Sequence, residues 1–213
     1  MVDTVHHPLF ARFYTVLARL AESAGTAEHR QELLSGVEGR IVEVGSGAGT
    51  NFVHYPATVA EVIAVEPESY LRDRSRAAAL HAPVPVTVMD GSADALPVED
   101  GWADAVVFSL VLCSVTDPAA ALAEARRVLR PGGALRFYEH VRAGSPRRAR
   151  LQDRVDRVWP YCAGGCHCNR DTPRTIEASG FDIEHIRRFD LRLGWVVAPV
   201  APHAIGTAVL RAG

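Results

Sequence analysis

The sequence predicts an α/β fold in which a mostly parallel sheet of seven strands carries helices on both faces. Three observations support this. Short, β-branched apolar runs alternate with helical segments, one strand-to-helix junction is crowded with glycine, and Pro131-Gly132-Gly133 closes a well-marked crossover helix. At 213 residues and 48% hydrophobic content the chain can bury one full core but is short for two ordinary domains, so a single domain spanning 1–213 is expected.

Taken in order, Leu9, Phe10, Phe13, Val16, Leu17 and Leu20 recur at helical spacing and give an N-terminal amphipathic helix, read with the rest of residues 1–36 as a lid. A second helix covers Ala27 to Leu34. Strands follow at Arg40 to Val44, Glu61 to Val65, Val84 to Met89, Ala103 to Leu110 and Ala134 to Tyr138. The crossover helix, Pro118 to Arg130, places Ala121, Leu122, Ala125, Val128 and Leu129 on one face. Residues 37–140 thus form a ligand-binding core. Residues 141–213 add a helix from Ser145 to Trp159, a Gly/Cys loop, a helix near Thr172 to Ser179, and strands at Phe181 to Phe189 and His203 to Leu210.

A net charge of -2 provides no field to draw the chain to nucleic acid or an anionic membrane, and neither partner is expected. The start lacks the features of a secretory signal, and no stretch approaches the ~18 apolar residues that span a bilayer; the expectation is a cytoplasmic protein whose cysteines are free thiols or ligands rather than disulfides. All 23 basic residues are arginine. That uniformity reads as compositional bias and implies no mechanism.

The run IVEVGSGAGTN sets Gly45, Gly47 and Gly49 directly after a strand, where absent side chains let the backbone turn tightly and approach a ligand. Thr50 stands at the third glycine of the dinucleotide pattern, which weakens a pyrophosphate reading. Glu43 ends the same strand, where a carboxylate would repel phosphate but suit an ammonium or sulfonium group. About 20 residues on, Glu66 ends the second strand, placed for the two hydroxyls of a ribose. The third strand ends in MDGSADALP, where Asp90 to Ala93 can meet an adenine edge.

From Val37 to Phe137 these features resemble the Rossmann-like class I S-adenosylmethionine (SAM)-dependent methyltransferases. The resemblance implies SAM as cofactor, with Glu43, Gly45, Ser46, Gly47, Gly49 and Asn51 around its methionine part. It implies Glu66 and Pro67 at the ribose, Gly91, Ser92 and Ala93 at the adenine, and Ser109 and Leu110 at the end of the fourth strand. Many relatives carry an acidic residue where this chain has Ser92, so the adenine contact is either made by backbone alone or taken over by Asp94.

SLVLCSV and YEHV place Ser109, Cys113, Glu139 and His140 at the carboxyl edge of the sheet, where open α/β sheets bind ligands. With Asn51, Tyr55 and Pro56, Gln152, and the spacing of Trp159, Gly165, Cys166 and Arg170, the second half resembles the thiol methyltransferase-like group, whose vertebrate members are membrane-anchored and methylate small alkyl thiols. This implies a small-molecule acceptor, favoured as a thiol, in a pocket of Phe10, Phe13, Tyr14, Cys113, Trp159, Cys166 and Arg170. Two departures stand out: no anchor-like stretch precedes the domain, and Cys168 replaces an apolar residue in the loop.

The reaction would be an in-line displacement at the methyl carbon, and a thiol of ordinary pKa near 8.5 already supplies some thiolate at neutral pH. His140 is the candidate proton acceptor; alternatively it is a histidine bonded to backbone beneath the loop. The C-x3-C-x-C run of Cys162, Cys166 and Cys168 matches no familiar zinc knuckle, so no metal is expected. On the helix from Ser145, Arg147, Arg150, Arg154 and Arg157 form one stripe and Leu151, Val155 and Val158 another, consistent with a lid excluding water. Other functions remain open from sequence: O- or N-methylation of a natural product or quinone-like compound, SAM binding without turnover and, more distantly, an NAD-dependent reductase, which Thr50 disfavours.

Overall fold

The computed structural model describes residues 26–191 and 199–211. In chain order these form α1 (Ala27–Leu34), β1 (Gly39–Val44), a 3-10 turn (Phe52–His54), β2 (Val59–Val65), α2 (Ser69–Ala79), β3 (Val86–Met89), β4 (Ala103–Ser109) and α3 (Pro118–Val128). Then come β5 (Leu129–His140), α4 (Pro146–Val155), α5 (Trp159–Cys162), α6 (Thr172–Ala178), β6 (Phe181–Asp190) and β7 (Pro202–Leu210). The seven strands form one sheet in the order β3-β2-β1-β4-β5-β7-β6. The first five are parallel, and β7 inserts antiparallel between β5 and β6.

Period-two alternation divides the apolar residues between the two faces. Val42, Val44, Val106, Phe108, Leu135 and Phe137 pack with Ala121, Leu122, Ala125 and Val128 of α3. Ile41, Ala105, Val107 and Tyr138 pack on the other face with Leu33 and Leu34 of α1 and with Phe52. Helix α3 starts where the sequence marks it: Asp117 accepts from the Ala119 and Ala120 N–H groups, and Pro118 occupies the first turn. Helix α1 lies against the sheet, where Arg136 Nε of β5 donates to Leu33 O at 3.0 Å.

Register aligns the strand ends. Val44 pairs with Val65 and Phe108, Val65 with Met89, and Ser109 with Tyr138, so the loops after β1, β2, β3 and β4 emerge along one carboxyl edge. The chain order reverses between β1 and β4. That is the topological switch point at which open α/β sheets bind ligands.

Three expectations need correction. Pro131-Gly132-Gly133 does not precede its strand: Leu129 already pairs with Ala103, and the turn lies within β5 before Ala134 pairs with Ala105. The helix from Ser145 to Trp159 is broken, ending at Val155 and resuming as the single turn of α5. Its apolar stripe is also not its buried face. Leu151 and Val158 are exposed, while Ala149 and Gln152 are buried, because Gln152 is anchored by four hydrogen bonds, to Ala143 N, Val141 O, Cys168 O and Pro199 O. The proposed N-terminal helix, with Phe10, Phe13 and Tyr14, lies outside the described residues. No described helix is long and apolar enough to cross a membrane.

Candidate active site

The loop after β1 has the backbone its glycines allow. Gly45, Gly47 and Gly49 have φ of 66°, 57° and 77°, in the left-handed region that side chains disfavour. Space is also limiting, since a Cβ on Gly45 would lie 2.7 Å from Val111 Cγ2, and one on Gly49 2.7 Å from Phe52 and 2.8 Å from Ala78. The Gly47 N–H donates to Glu66 Oε2 at 2.7 Å, and the Glu68 N–H donates to Oε1 at 3.0 Å. Each carboxylate oxygen keeps acceptor capacity for a vicinal diol. Burial raises the Glu66 pKa, against those backbone donors.

Beneath the loop runs a buried polar chain. Arg30 Nη1 donates to Asn51 Oδ1 at 2.7 Å and to Ser109 Oγ at 3.2 Å, Asn51 Nδ2 donates to Glu43 Oε1 at 3.0 Å, and the Tyr55 hydroxyl donates to Glu43 Oε2 at 2.6 Å. Glu43 is 1% exposed, and burial pushes its pKa up to about 7 despite Tyr55 and Asn51. Tyr55 is pushed well above its usual value, first by burial and then by the Glu43 charge. Glu43, Asn51 and Ser109 therefore hold the loop from below. The Ser46 groups also act inside the fold, its N–H donating to Val65 O at 3.2 Å and its hydroxyl meeting Ser75 Oγ at 2.9 Å.

Further along the edge, Pro67 is exposed after β2, and its carbonyl accepts from Arg72 Nη1 at 2.9 Å. Gly91, Ser92 and Ala93 are half-buried after β3, where Ser92 and Ala95 form an isolated antiparallel bridge. Asp90 is tied to Arg72, and Asp94 is exposed. Leu110, after β4, has φ of 61° and is the only non-glycine among the described residues with positive φ, a strained geometry fixed by its N–H donating to Tyr138 O at 2.7 Å. The donor set fits SAM: backbone at close approach, a diol-ready carboxylate in Glu66, and a buried carboxylate in Glu43 that favours a cation over a phosphate.

The acceptor-side residues converge at the same edge. His140 Nδ1 lies 3.5 Å from Cys113 Sγ and 3.5 Å from Cys166 Sγ, and the two sulfurs are 3.7 Å apart. Glu139 organises the Cys113 loop: Oε1 accepts from the Val111 and Leu112 N–H groups, each at 2.9 Å, and Oε2 from Cys113 N–H at 3.1 Å. The Cys166 loop docks onto it through His167 N–H to Cys113 O at 2.7 Å and through Arg170 Nη1, which donates to Leu112 O and Val115 O, each at 2.7 Å. The Cys166 thiol falls below the usual range, its sulfur sharing a hydrogen bond with Cys113 and then facing His140. The Trp159 N–H is buried without a well-formed hydrogen bond, and its proximity also favours the Cys166 thiolate.

His203 packs on His140 with ring centroids 4.4 Å apart. Burial and then the nearby His140 push its pKa down to about 3, and its Nδ1–H donates to Ala201 O at 2.8 Å. The cysteine run itself is separated: Cys162 is exposed, and Cys168 is buried with Sγ 3.9 Å from Gln152 O. Sequence placed Glu139 at the carboxyl edge and Gln152 within the family resemblance without the anchoring roles they take here, and Arg30 was not singled out. A signal existed for Arg30, since its spacing of three and four from Leu33 and Leu34 puts it on the buried stripe of α1.

The comparisons with known proteins identify the family and the fold. A family model described as a methyltransferase domain matches residues 42–137. The thiol S-methyltransferase TMT1B of Homo sapiens is 35% identical over 182 residues, 83% of this chain and 73% of that protein. TMT1A of Homo sapiens is 35% identical over 174 residues, 79% of this chain and 70% of that protein. Among solved structures, a geranyl diphosphate methyltransferase in complex with GPP and sinefungin is 17% identical with a TM-score of 0.67, covering 98% of this chain and 86% of that one. An S-adenosylmethionine dependent methyltransferase from Mesorhizobium loti is 22% identical with a TM-score of 0.63, covering 85% and 95%. These last two share the fold. The chain belongs to the SAM-dependent methyltransferases, in the family that includes the thiol S-methyltransferases TMT1A and TMT1B.

Proposed function

We propose that this methyltransferase transfers the methyl group of SAM to the sulfur of a small thiol. The observation that carries this reading is the convergence of Cys113, His140 and Cys166 at the carboxyl edge that also carries the glycine loop, within a chain whose relatives are named thiol S-methyltransferases. In this reading Gly45 to Gly49 cradle the methionine part, Glu66 and Pro67 meet the ribose, and Gly91 to Ala93 meet the adenine. Ser109 and Leu110 border the methyl group, and Glu43, Ser46 and Asn51 fix the loop. Trp159, Cys166 and Arg170 bound the acceptor pocket.

Little chemistry is demanded of the protein. A thiol with pKa near 8.5 is a few per cent thiolate at about pH 7, so alignment and exclusion of water supply most of the acceleration. His140, half-buried at the end of β5, is the group nearest the sulfur cluster that can assist loss of the thiol proton. We assign the protein to the cytoplasm, with a small molecule as its acceptor and neither nucleic acid nor membrane as partner.

The test is SAM turnover, read as S-adenosylhomocysteine, against small thiols beside matched phenols and amines. Turnover of thiols well above the others supports the sulfur acceptor. Turnover confined to phenols or amines removes it and leaves the methyltransferase.

A further inference from the structure

The Cys113, His140 and Cys166 cluster, held within thiol hydrogen-bond distances, also has the dimensions of a metal site. Around a tetrahedral Zn²⁺, with Zn–S of about 2.3 Å and Zn–N of about 2.0–2.1 Å, two sulfurs stand about 3.8 Å apart and a sulfur and a nitrogen about 3.6 Å apart. The three separations here are 3.7, 3.5 and 3.5 Å. From this match we propose that the protein binds one zinc ion through Cys113 Sγ, His140 Nδ1 and Cys166 Sγ, with the fourth position open to the acceptor thiol.

The ligands come from three separate segments: the loop after β4, the end of β5 and the loop before α6. Consecutive spacing along the chain therefore carries no zinc-knuckle signature, although the site is assembled in space. Among the described residues no fourth His, Cys, Asp or Glu completes the group. Three protein ligands with one free position is the arrangement of catalytic zinc, whereas structural sites are closed by four.

The supporting shell is built to hold this geometry. Glu139 clamps three consecutive N–H groups ending at Cys113. The Cys166 loop is fastened to the Cys113 loop by His167 N–H and Arg170, and a Cβ on Gly165 would stand 3.0 Å from Ser114 O, so glycine permits that approach. Both sulfurs are buried, while His140 is only half-buried, leaving a way in. Val111, two residues before Cys113 in the same loop, lies over Gly45, so the loop that carries Cys113 packs on the cradle.

The use of the open position rests on the thiol reading above; binding of the metal does not. A thiol entering that position gives up its proton to solvent and binds as thiolate. Its sulfur lone pair then forms the bond to the methyl carbon while the bond from that carbon to the sulfonium sulfur breaks, with the electron pair going to the latter. The products are a thioether, a poor ligand that departs, and S-adenosylhomocysteine. His140 then serves as a ligand, and no separate base is needed.

The experiment is zinc content by mass spectrometry of the whole chain purified without chelator, followed by replacement with cobalt(II) and absorption spectroscopy. One zinc per chain, lost in Cys113→Ser, Cys166→Ser and His140→Ala but kept in Cys162→Ser, supports the site. So does a tetrahedral, sulfur-ligated cobalt spectrum in the unmodified chain, which does not depend on the variants folding. A small thiol added without SAM should shift that spectrum. Absence of stoichiometric metal in chain that turns over SAM overturns the proposal, as does a Cys113–Cys166 disulfide in such active chain. A cobalt spectrum insensitive to thiols overturns the open position. If zinc is bound but only phenols or amines are methylated, the thiol reading falls and the metal site stands.

Discussion

The Gly47 N–H donates to Glu66 Oε2 at 2.7 Å, joining the loop after β1 to the end of β2 across 19 residues. Because the Glu68 N–H holds Oε1, the carboxylate is fixed by backbone on both oxygens and is 5% exposed. One residue thus shapes the glycine loop and offers acceptors to a ribose, so its loss should be felt in ligand affinity.

Glu66→Gln should weaken SAM binding by ~1.5–3 kcal/mol, the range for hydrogen bonds to a charged group, or roughly 10- to 150-fold in Kd. Titration calorimetry with SAM and with S-adenosylhomocysteine reads this directly. Equal affinity in the two proteins would remove Glu66 from the ribose site.

Two glycines separate strain from space. Gly49→Ala forces a left-handed side-chain residue at φ 77° and a Cβ into Phe52 and Ala78, costing about 1–2 kcal/mol for the backbone and about 1–3 kcal/mol for overpacking. Gly36 has φ of 70° with nothing within 4 Å of a Cβ, so Gly36→Ala should show the backbone part alone. Urea unfolding of both variants checks the difference, and equal losses would contradict the crowding at Gly49.

Periodicity made much of this fold legible, and the reasons differ by element. Helix α1 was legible residue for residue, and α3 from Pro118 and its apolar stripe, although it ends at Val128 and Leu129 belongs to β5. The helix after Ser145 was misread because hydrophobic spacing assumes that apolar residues face the core. There Gln152 is the buried anchor, and four hydrogen bonds outweigh the packing of Leu151. At the candidate site, glycine spacing and the acidic strand ends pointed to the cradle. The resemblance grouped Cys113 with Cys166, but the C-x3-C-x-C run gave no sign that Cys166 meets Cys113, 53 residues away, rather than Cys162 or Cys168.

Arg170 connects loops that the sequence leaves far apart. Arg170→Met keeps the length of the side chain but strands the Leu112 and Val115 carbonyls, costing about 1–3 kcal/mol. Since those carbonyls belong to the Cys113 loop, turnover should fall more than SAM affinity does. Steady-state kinetics beside calorimetry separates the two, and a loss confined to SAM affinity would place Arg170 at the cofactor instead.

Glu43 makes stability depend on pH with a sign opposite to that of a salt-bridged carboxylate. Burial raises its pKa to about 7 in the folded chain from an ordinary value of 4.5. Between those values the folded state holds a proton that the unfolded state has released, so stability falls as pH rises through this window and levels off above it. At about 1.4 kcal/mol per pKa unit, the full loss is on the order of 3 kcal/mol. Glu43→Gln cannot ionise, so the stability difference between the two proteins should shift in favour of the variant from pH 4.5 to 7.5. Taking that difference cancels the contributions of other buried carboxylates. Cationic SAM favours the ionised form, so its affinity for the unmodified chain should rise over the same interval while that of the variant changes less. Urea unfolding and SAM titration at matched pH values test both parts. A stability difference that stays constant with pH would mean that Glu43 is ionised throughout, its hydrogen bonds from Tyr55 and Asn51 outweighing its burial.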